Sequence, residues 1–332
     1  MPCAHGKDVC VGDYRVNPED FFVSESGAEP LGEGEHLYLR IRKTGQNTRW
    51  VAKEIARQLR IPFRAVSYAG LKDRHAVTEQ WFGVQLIGQP DPEPGVIDIE
   101  GVEILKSVRH RKKLRQGELS YNLFRIILRE CRYSDAGLLE KRLQQVALEG
   151  VPAYFGPQRF GKNLANLDLP AEISNLEKLP REQRSFVISA LRSALFNGYL
   201  AERVSRDNWA EVLPGENTIS DRPRGIAESD QSVFTAERLP AGMLWGAGAV
   251  FAANQAGDQE RDYFAQFPAV CALLEAAGAR VSRRILKTRV ANMSWQLQDN
   301  VMQLEFVLGP GQYATAVLQE IGEFHDQGDG DA

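Results

Sequence analysis

Two stretches near opposite ends of the chain carry the same alternation of apolar and polar side chains. In His36–Lys43, Leu37, Leu39 and Ile41 fall on one face and Tyr38, Arg40 and Arg42 on the other. Met302, Leu304, Phe306 and Leu308 alternate in the same way. A period of two marks a half-buried strand, which is stable only within a larger sheet. The chain between them changes character. Up to Gly150 strand and helix signals alternate: a helix over Thr48–Arg60, strands over Trp81–Ile87 and Asn122–Glu130, and a helix over Ser134–Glu149 with Ser134 as N-cap and Gly150 as its stop. From Val151 an aromatic and glycine-rich run leads into a long helix over about Glu182–Ser205, and Pro214–Gly248 reads as loops with little periodicity. After Met302 the first style returns, with a turn at Gly309–Gly311 and a short helix from Tyr313. This pattern predicts an α/β (mixed α+β) fold in which residues 1–151 and 288–332 form one discontinuous unit and residues 152–287 form a second, inserted one.

The length of 332 residues suits two cores better than one. No apolar run approaches the ~20 residues needed to span a bilayer, so no membrane partner is expected. The N-terminus lacks the charged-then-apolar pattern of a secretory signal, and the cytoplasm is the expected location. Cys3, Cys10, Cys131 and Cys271 fit no zinc spacing. Free thiols and no metal site are expected.

A formal net charge of −4 argues weakly against a nucleic-acid partner, but phosphate contacts are local. Lys106–Arg115 places six Lys/Arg within ten residues, while acid gathers at Glu19–Glu35 and after Glu320. Arg109, Arg111, Lys112, Lys113 and Arg115 are therefore candidate contacts to an RNA backbone; the bland alternative is a solvated face.

The sharpest motif is Gly70–Gln80 (GLKDRHAVTEQ), expected in a loop before the Trp81 strand. Asp73 lies among Lys72, Arg74 and His75. A carboxylate beside cations stays ionised at neutral pH, which suits a nucleophile better than a general acid. The other reading is a polar turn.

Together with four other blocks in order, this motif resembles the TruD family of tRNA pseudouridine synthases, which modify uridine 13 in the D-arm. The blocks are Asn17–Phe21 (NPEDF), Tyr154–Gly161 (YFGPQRFG), Ser189–Asn197 (SALRSALFN) and Pro310–Thr315 (PGQYAT), and the likeness covers roughly residues 14–322. It implies a catalytic domain with a mixed, largely antiparallel sheet, a tRNA substrate and no cofactor. It also implies that Asp73 is the catalytic aspartate, that Arg15 pairs with it, and that Phe21 holds the target base. Asn122 and Phe124 would line the pocket, with Lys72 beside the substrate. Tyr313 falls where the family would be expected to have phenylalanine; other pseudouridine synthase classes have tyrosine at the comparable position.

Read without the resemblance, Phe21, Phe124 and Tyr313 could be ordinary core aromatics and Arg15 a surface arginine. Asn122 in a β-like run needs a hydrogen-bond partner. Isomerising uridine changes no redox state and needs no group donor, in keeping with the lack of a GxGxxG or P-loop pattern. Two other classes remain: an RNA-binding protein with a vestigial Asp73, and a hydrolase or transferase pairing Asp73 with His75. No interface pattern stands out, so a monomer is expected.

Overall fold

The computed structural model describes residues 1–27, 30, 32–161, 176, 178–222 and 228–328. The end of the acidic tail and part of Pro214–Gly248 lie outside them. The chain opens with strands β1 (Cys10–Tyr14), β2 (Phe21–Ser26) and β3 (His36–Thr44). Helix α1 (Thr48–Gln58) follows, then β4 (Val66–Tyr68), β5 (Val77–Gln85), β6 (Val102–His110) and β7 (Tyr121–Arg132). Helix α2 (Ala136–Glu149) and β8 (Val151–Pro152) lead to α3 (Arg181–Ser205), β9 (Thr218–Ser220), β10 (Arg238–Leu244), α4 (Asn254–Phe264), α5 (Pro268–Ala276) and β11 (Ser282–Ile285). The last elements are β12 (Lys287–Thr288), β13 (Ala291–Gln298), β14 (Val301–Leu308), α6 (Ala314–Ile321) and β15 (Gly322–Asp326).

Both ends of the chain meet in one mixed, largely antiparallel sheet, ordered β13-β14-β7-β2-β5-β3-β6. Among the described strands of this sheet, the β1–β15 and β2–β5 pairs are parallel and the others antiparallel. The long β7 organises it. One edge of β7 pairs with β14, while the other carries β2 along Tyr121–Ile126 and then β1 near Arg129 and Arg132. Leu139, Leu143 and Val146 of α2 and Val317 and Ile321 of α6 are buried in one core with Ile126, Leu128, Met302 and Phe306 of the sheet. Val51 and Ile55 of α1 cover β3 and β5 in another. Deep burial of this many branched side chains is the main stabilising term, at about 1.5–3 kcal/mol each.

Several local expectations need correction. Asp135, not Ser134, caps α2, accepting from the backbone N–H groups of Gly137 and Leu138 at 2.8 and 3.1 Å. Gly150 does end that helix, at φ 77°; a Cβ there would meet the Thr288 carbonyl oxygen at 2.3 Å. The Trp81 strand begins earlier, at Val77, so the second part of the Gly70–Gln80 motif is strand. Within Pro214–Gly248, β9 and β10 form a three-stranded sheet with β11 instead of loops. Gly242 explains why the pattern is hidden there. A side chain at that position of β10 would come within 2.7 Å of Leu286 and 3.2 Å of Tyr199, so the strand lies directly on α3.

The α3 core holds Leu195, Phe196, Tyr199 and Leu200 against Met243, Phe264 and Leu274. Among these apolar groups the wholly buried Arg203 meets Glu216 at 2.6 Å and donates to Asn208 Oδ1 at 2.8 Å. Breaking a buried ion pair from one side strands the other charge. Glu216→Gln is therefore expected to lower unfolding stability by about 3–5 kcal/mol in urea titration; a loss below about 1 kcal/mol would contradict that reading.

Candidate active site

The segment from Gly70 to Asp73 is fixed by residues distant in sequence. Thr48, at the start of α1, accepts from the Lys72 backbone N–H at 3.0 Å and donates to Gln80 Oε1 at 3.0 Å. Gln80 in turn donates through Nε2 to the Gly70 carbonyl at 3.0 Å. Both Thr48 and Gln80 are buried, so water cannot compete for these bonds. The loop therefore stands on a closed polar network, and Asp73 projects from a rigid base.

Three cations surround Asp73, and each is engaged away from its carboxylate. Lys43, fully buried at the end of β3, donates Nζ to the Asp73 backbone carbonyl at 2.9 Å. Burial pushes its pKa down to about 8, against the opposing pull of Asp73 and with a smaller push from Lys72. Lys72 lies 3.1 Å from the buried carboxylate of Glu25 and donates to Asn122 Oδ1 at 2.6 Å. That bond occupies the oxygen end of Asn122; its amide nitrogen has no partner among the described residues.

Arg15 corrects an expectation. Its guanidinium grips Asp326 at the end of β15, with Nε 2.8 Å from Oδ1 and Nη2 on Oδ2, and does not pair with Asp73. Tyr14 donates its hydroxyl to the same carboxylate at 2.8 Å. Arg15 adopts φ 56°, a left-handed backbone uncommon for a side chain of this size and held by this double contact. Burial disfavours the Asp326 charge, but Arg15 outweighs it and holds the carboxyl below its ordinary range. The carboxylate oxygens of Asp73 have no hydrogen-bond or ion-pair partner among the described residues.

Asp73 lines a cleft of about 740 Å³ that also takes in Arg15, Phe21, Lys72, Asn122, Phe124 and Tyr313. The structure thus brings together all the candidate catalytic and base-contacting residues. Phe21 and Phe124 are both core and wall: they meet edge to face at 6.2 Å, and Phe124 stacks on Phe306 at 5.5 Å. Tyr313, at the N-terminal end of α6, packs against Phe155 at 5.9 Å. Gln158, Arg159 and Ser189, from the middle of the chain, complete the far side.

The basic run is split. Arg109, next to last in β6, has Nε 2.5 Å from Asp91, and Arg111 pairs with Glu33. Lys113 donates to the Arg64 carbonyl at 3.2 Å. Lys112 and Arg115 are exposed, and Gln116 and Gly117 immediately beyond them line the cleft. Lys43, Glu25, Asp326 and Arg159 were not anticipated. Lys43 alone left a signal, since it continues the Leu37, Leu39, Ile41 face where a charge is out of place. Among the described residues no cluster of three His, Cys, Asp or Glu could hold a metal ion, and no helix is long and apolar enough to cross a membrane.

Comparison with known proteins bears on the whole of this architecture. The family model described as tRNA pseudouridine synthase D (TruD) matches residues 4–169 and 171–321. The tRNA pseudouridine synthase D of Methylococcus capsulatus is 41% identical, covering 99% of this chain and 96% of its own. That of Xanthomonas axonopodis pv. citri is 40% identical over the same shares. A solved structure of the putative tRNA pseudouridine synthase D from Methanosarcina mazei superposes with a TM-score of 0.69 at 19% identity, covering 97% of this chain and 96% of that one, a likeness of fold. On these matches the chain belongs to the tRNA pseudouridine synthase D family.

Proposed function

We propose that this protein converts uridine 13 in the D-arm of tRNA to pseudouridine, with Asp73 as the catalytic carboxylate and no cofactor. The observation that carries the reading is the Asp73 carboxylate, unpaired among the described residues within a cationic surround, on a cleft that also presents aromatic rings and an amide donor with no partner among those residues. The tRNA substrate comes from the relatives' names, and position 13 from the motif resemblance. Residues 1–151 with 288–332 are taken as the catalytic unit and 152–287 as the inserted one, so that the cleft lies between them. The protein is taken to act as a cytoplasmic monomer.

The uridine must leave its helix to enter, at a cost of a few kcal/mol recovered by stacking and edge contacts. Phe21 and Phe124 supply apolar surface for the base, and the Asn122 amide nitrogen can donate to a uracil carbonyl. With the base held, the C1′–N1 bond breaks and its electron pair leaves with the uracil. Asp73 acts at C1′, where electron deficiency develops; a carboxylate with no hydrogen bond of its own has a full lone pair for this role. The ring turns, C5 bonds to C1′, the C5 proton is lost and N1 is reprotonated, so no electrons or atoms are exchanged with a cofactor. Tyr313, or a water beside it, assists removal of the C5 proton. Arg15 and Lys43 contribute positive field, not a direct bond.

Asp73→Asn removes the attacking charge and keeps the shape. Purified protein carrying it is expected to lose about 10³-fold or more in turnover on tRNA, with RNA affinity by fluorescence anisotropy essentially unchanged. Turnover within about tenfold of wild type would remove Asp73 from the chemistry. Lys43 sets a pH signature. As pH rises through about 8, Lys43 loses its proton and the site loses one positive charge, so kcat is expected to fall on the alkaline side. In Lys43→Met that limb should vanish and the rate should be lower throughout. A limb near 8 that persists in Lys43→Met would assign it to another group.

A further inference from the structure

We propose that the far wall of the cleft holds a seat for one RNA backbone phosphate, centred on Arg159 and backed by Arg192 and Arg284. The inference rests on the RNA-acting reading above and assigns part of the grip to residues outside the Lys106–Arg115 run.

All three guanidiniums are hydrogen-bonded, but only to neutral oxygens. Arg159 donates Nε to Ser193 Oγ at 3.2 Å and Nη2 to Ser189 Oγ. Arg192 donates Nε to the Trp245 carbonyl at 2.8 Å and Nη2 to the carbonyls of Leu244 and Arg280 at 3.1 and 2.7 Å. Arg284 lies 4.1 Å above the Phe155 ring, with Nη1 2.8 Å from the Gly311 carbonyl and Nε 3.3 Å from that of Ala153. Among the described residues, none of the three has a carboxylate within ion-pair distance. Three other poorly exposed arginines do: Arg203 has Glu216, Arg283 has Glu260 and Arg15 has Asp326; the buried Arg142 has backbone carbonyls alone, but among the described residues it does not share its surroundings with other arginines.

The charge of Arg159 reaches the other two. Burial is the largest cause drawing Arg192 below its ordinary range and Arg284 down to about 10; the charge of Arg159 adds to it at both, while Tyr313 opposes it at Arg284. Like charges drawn together without a counter-ion are unfavourable in the unliganded fold, and an arriving anion relieves that repulsion. The opening of the cluster faces the proposed uridine site: Arg159, Ser189, Gly311 and Thr315 line the same cleft as Asp73. The Thr315 hydroxyl is buried there without a hydrogen-bond partner among the described residues. Guanidinium forks match the geometry of phosphate oxygens. A phosphodiester is the anion that must accompany a nucleotide into this space. On the other side, Arg109 and Arg111 already have the carboxylates of Asp91 and Glu33, so they offer less unneutralised charge to RNA.

The test measures tRNA affinity against KCl concentration in the Asp73→Asn background, with Arg159 intact, as Arg159→Ala and as Arg159→Lys. Arg159→Ala is expected to weaken binding about tenfold at low salt and to flatten the slope of log K against log salt by about 0.7–0.9, the value of one phosphate contact. Arg159→Lys should recover most of the slope. In parallel, single neutral methylphosphonates are placed at the linkages flanking the target uridine. At one linkage the neutral group should reproduce the Arg159→Ala loss and add nothing to it. An unchanged slope in Arg159→Ala, or losses that add at every linkage, would overturn the seat. If Arg159→Ala does not fold, the methylphosphonate series with Arg159 intact decides: no sensitive linkage overturns it. None of these readouts uses turnover. A wild-type protein that binds through Arg159 yet forms no pseudouridine would refute the isomerase reading and leave the seat standing.

Discussion

Arg15, Lys43 and Lys72, the cations placed around Asp73 among the described residues, are each held by something other than its carboxylate, and the rest of the site depends on that allocation. Asp326 takes Arg15, Glu25 and Asn122 take Lys72, and the Asp73 main-chain carbonyl takes Lys43. A direct Arg15–Asp73 pair would bring more Coulomb energy to Asp73 and would also occupy the lone pairs a nucleophile needs. Placing the cations nearby but engaging them elsewhere keeps the field and frees the oxygens. The arrangement holds because its members are buried: Glu25, Lys43, Thr48 and Gln80 have almost no access to water.

The fold makes this allocation possible by joining distant parts of the chain. Strand β7 carries Asn122 and Phe124, and its partners β1 and β2 lead in Arg15 and Phe21. Parallel pairing of β1 with β15 delivers Asp326 to Arg15 from the other end of the chain. The far wall is fastened to this sheet by Arg284, which reaches from β11 to the Gly311 turn beside Tyr313. On the proposed reading, the cleft between these surfaces has one side for reaction at a sugar carbon and another for a backbone anion.

What the sequence made legible was local. The alternation of His36–Lys43 and Met302–Leu308 gave β3 and β14 within a residue, because one buried face imposes a period of two. The family resemblance matched the fold found here, and the residues it singled out around Asp73 converge on one cleft. Arg15's partner was not legible, since Asp326 lies 311 positions away and only the β1–β15 pairing brings it close. The basic run shows the limit of composition: six cations in ten residues look available to RNA, yet the acids that occupy Arg109 and Arg111 come from elsewhere in sequence. Strand β10 is not legible because Pro240 and Gly242 imitate a loop, while Gly242 lets β10 sit on α3; β9 is only three residues long, too short for a period to show.

The most direct test of Asp73 as the agent of uridine isomerisation is pseudouridine mapping on total tRNA from cells lacking this protein. Wild type and Asp73→Ala are restored in parallel. The expected result is loss of a single D-arm pseudouridine, at position 13, that wild type restores and Asp73→Ala does not. An unchanged map in the deletion, or full restoration by Asp73→Ala, would contradict it.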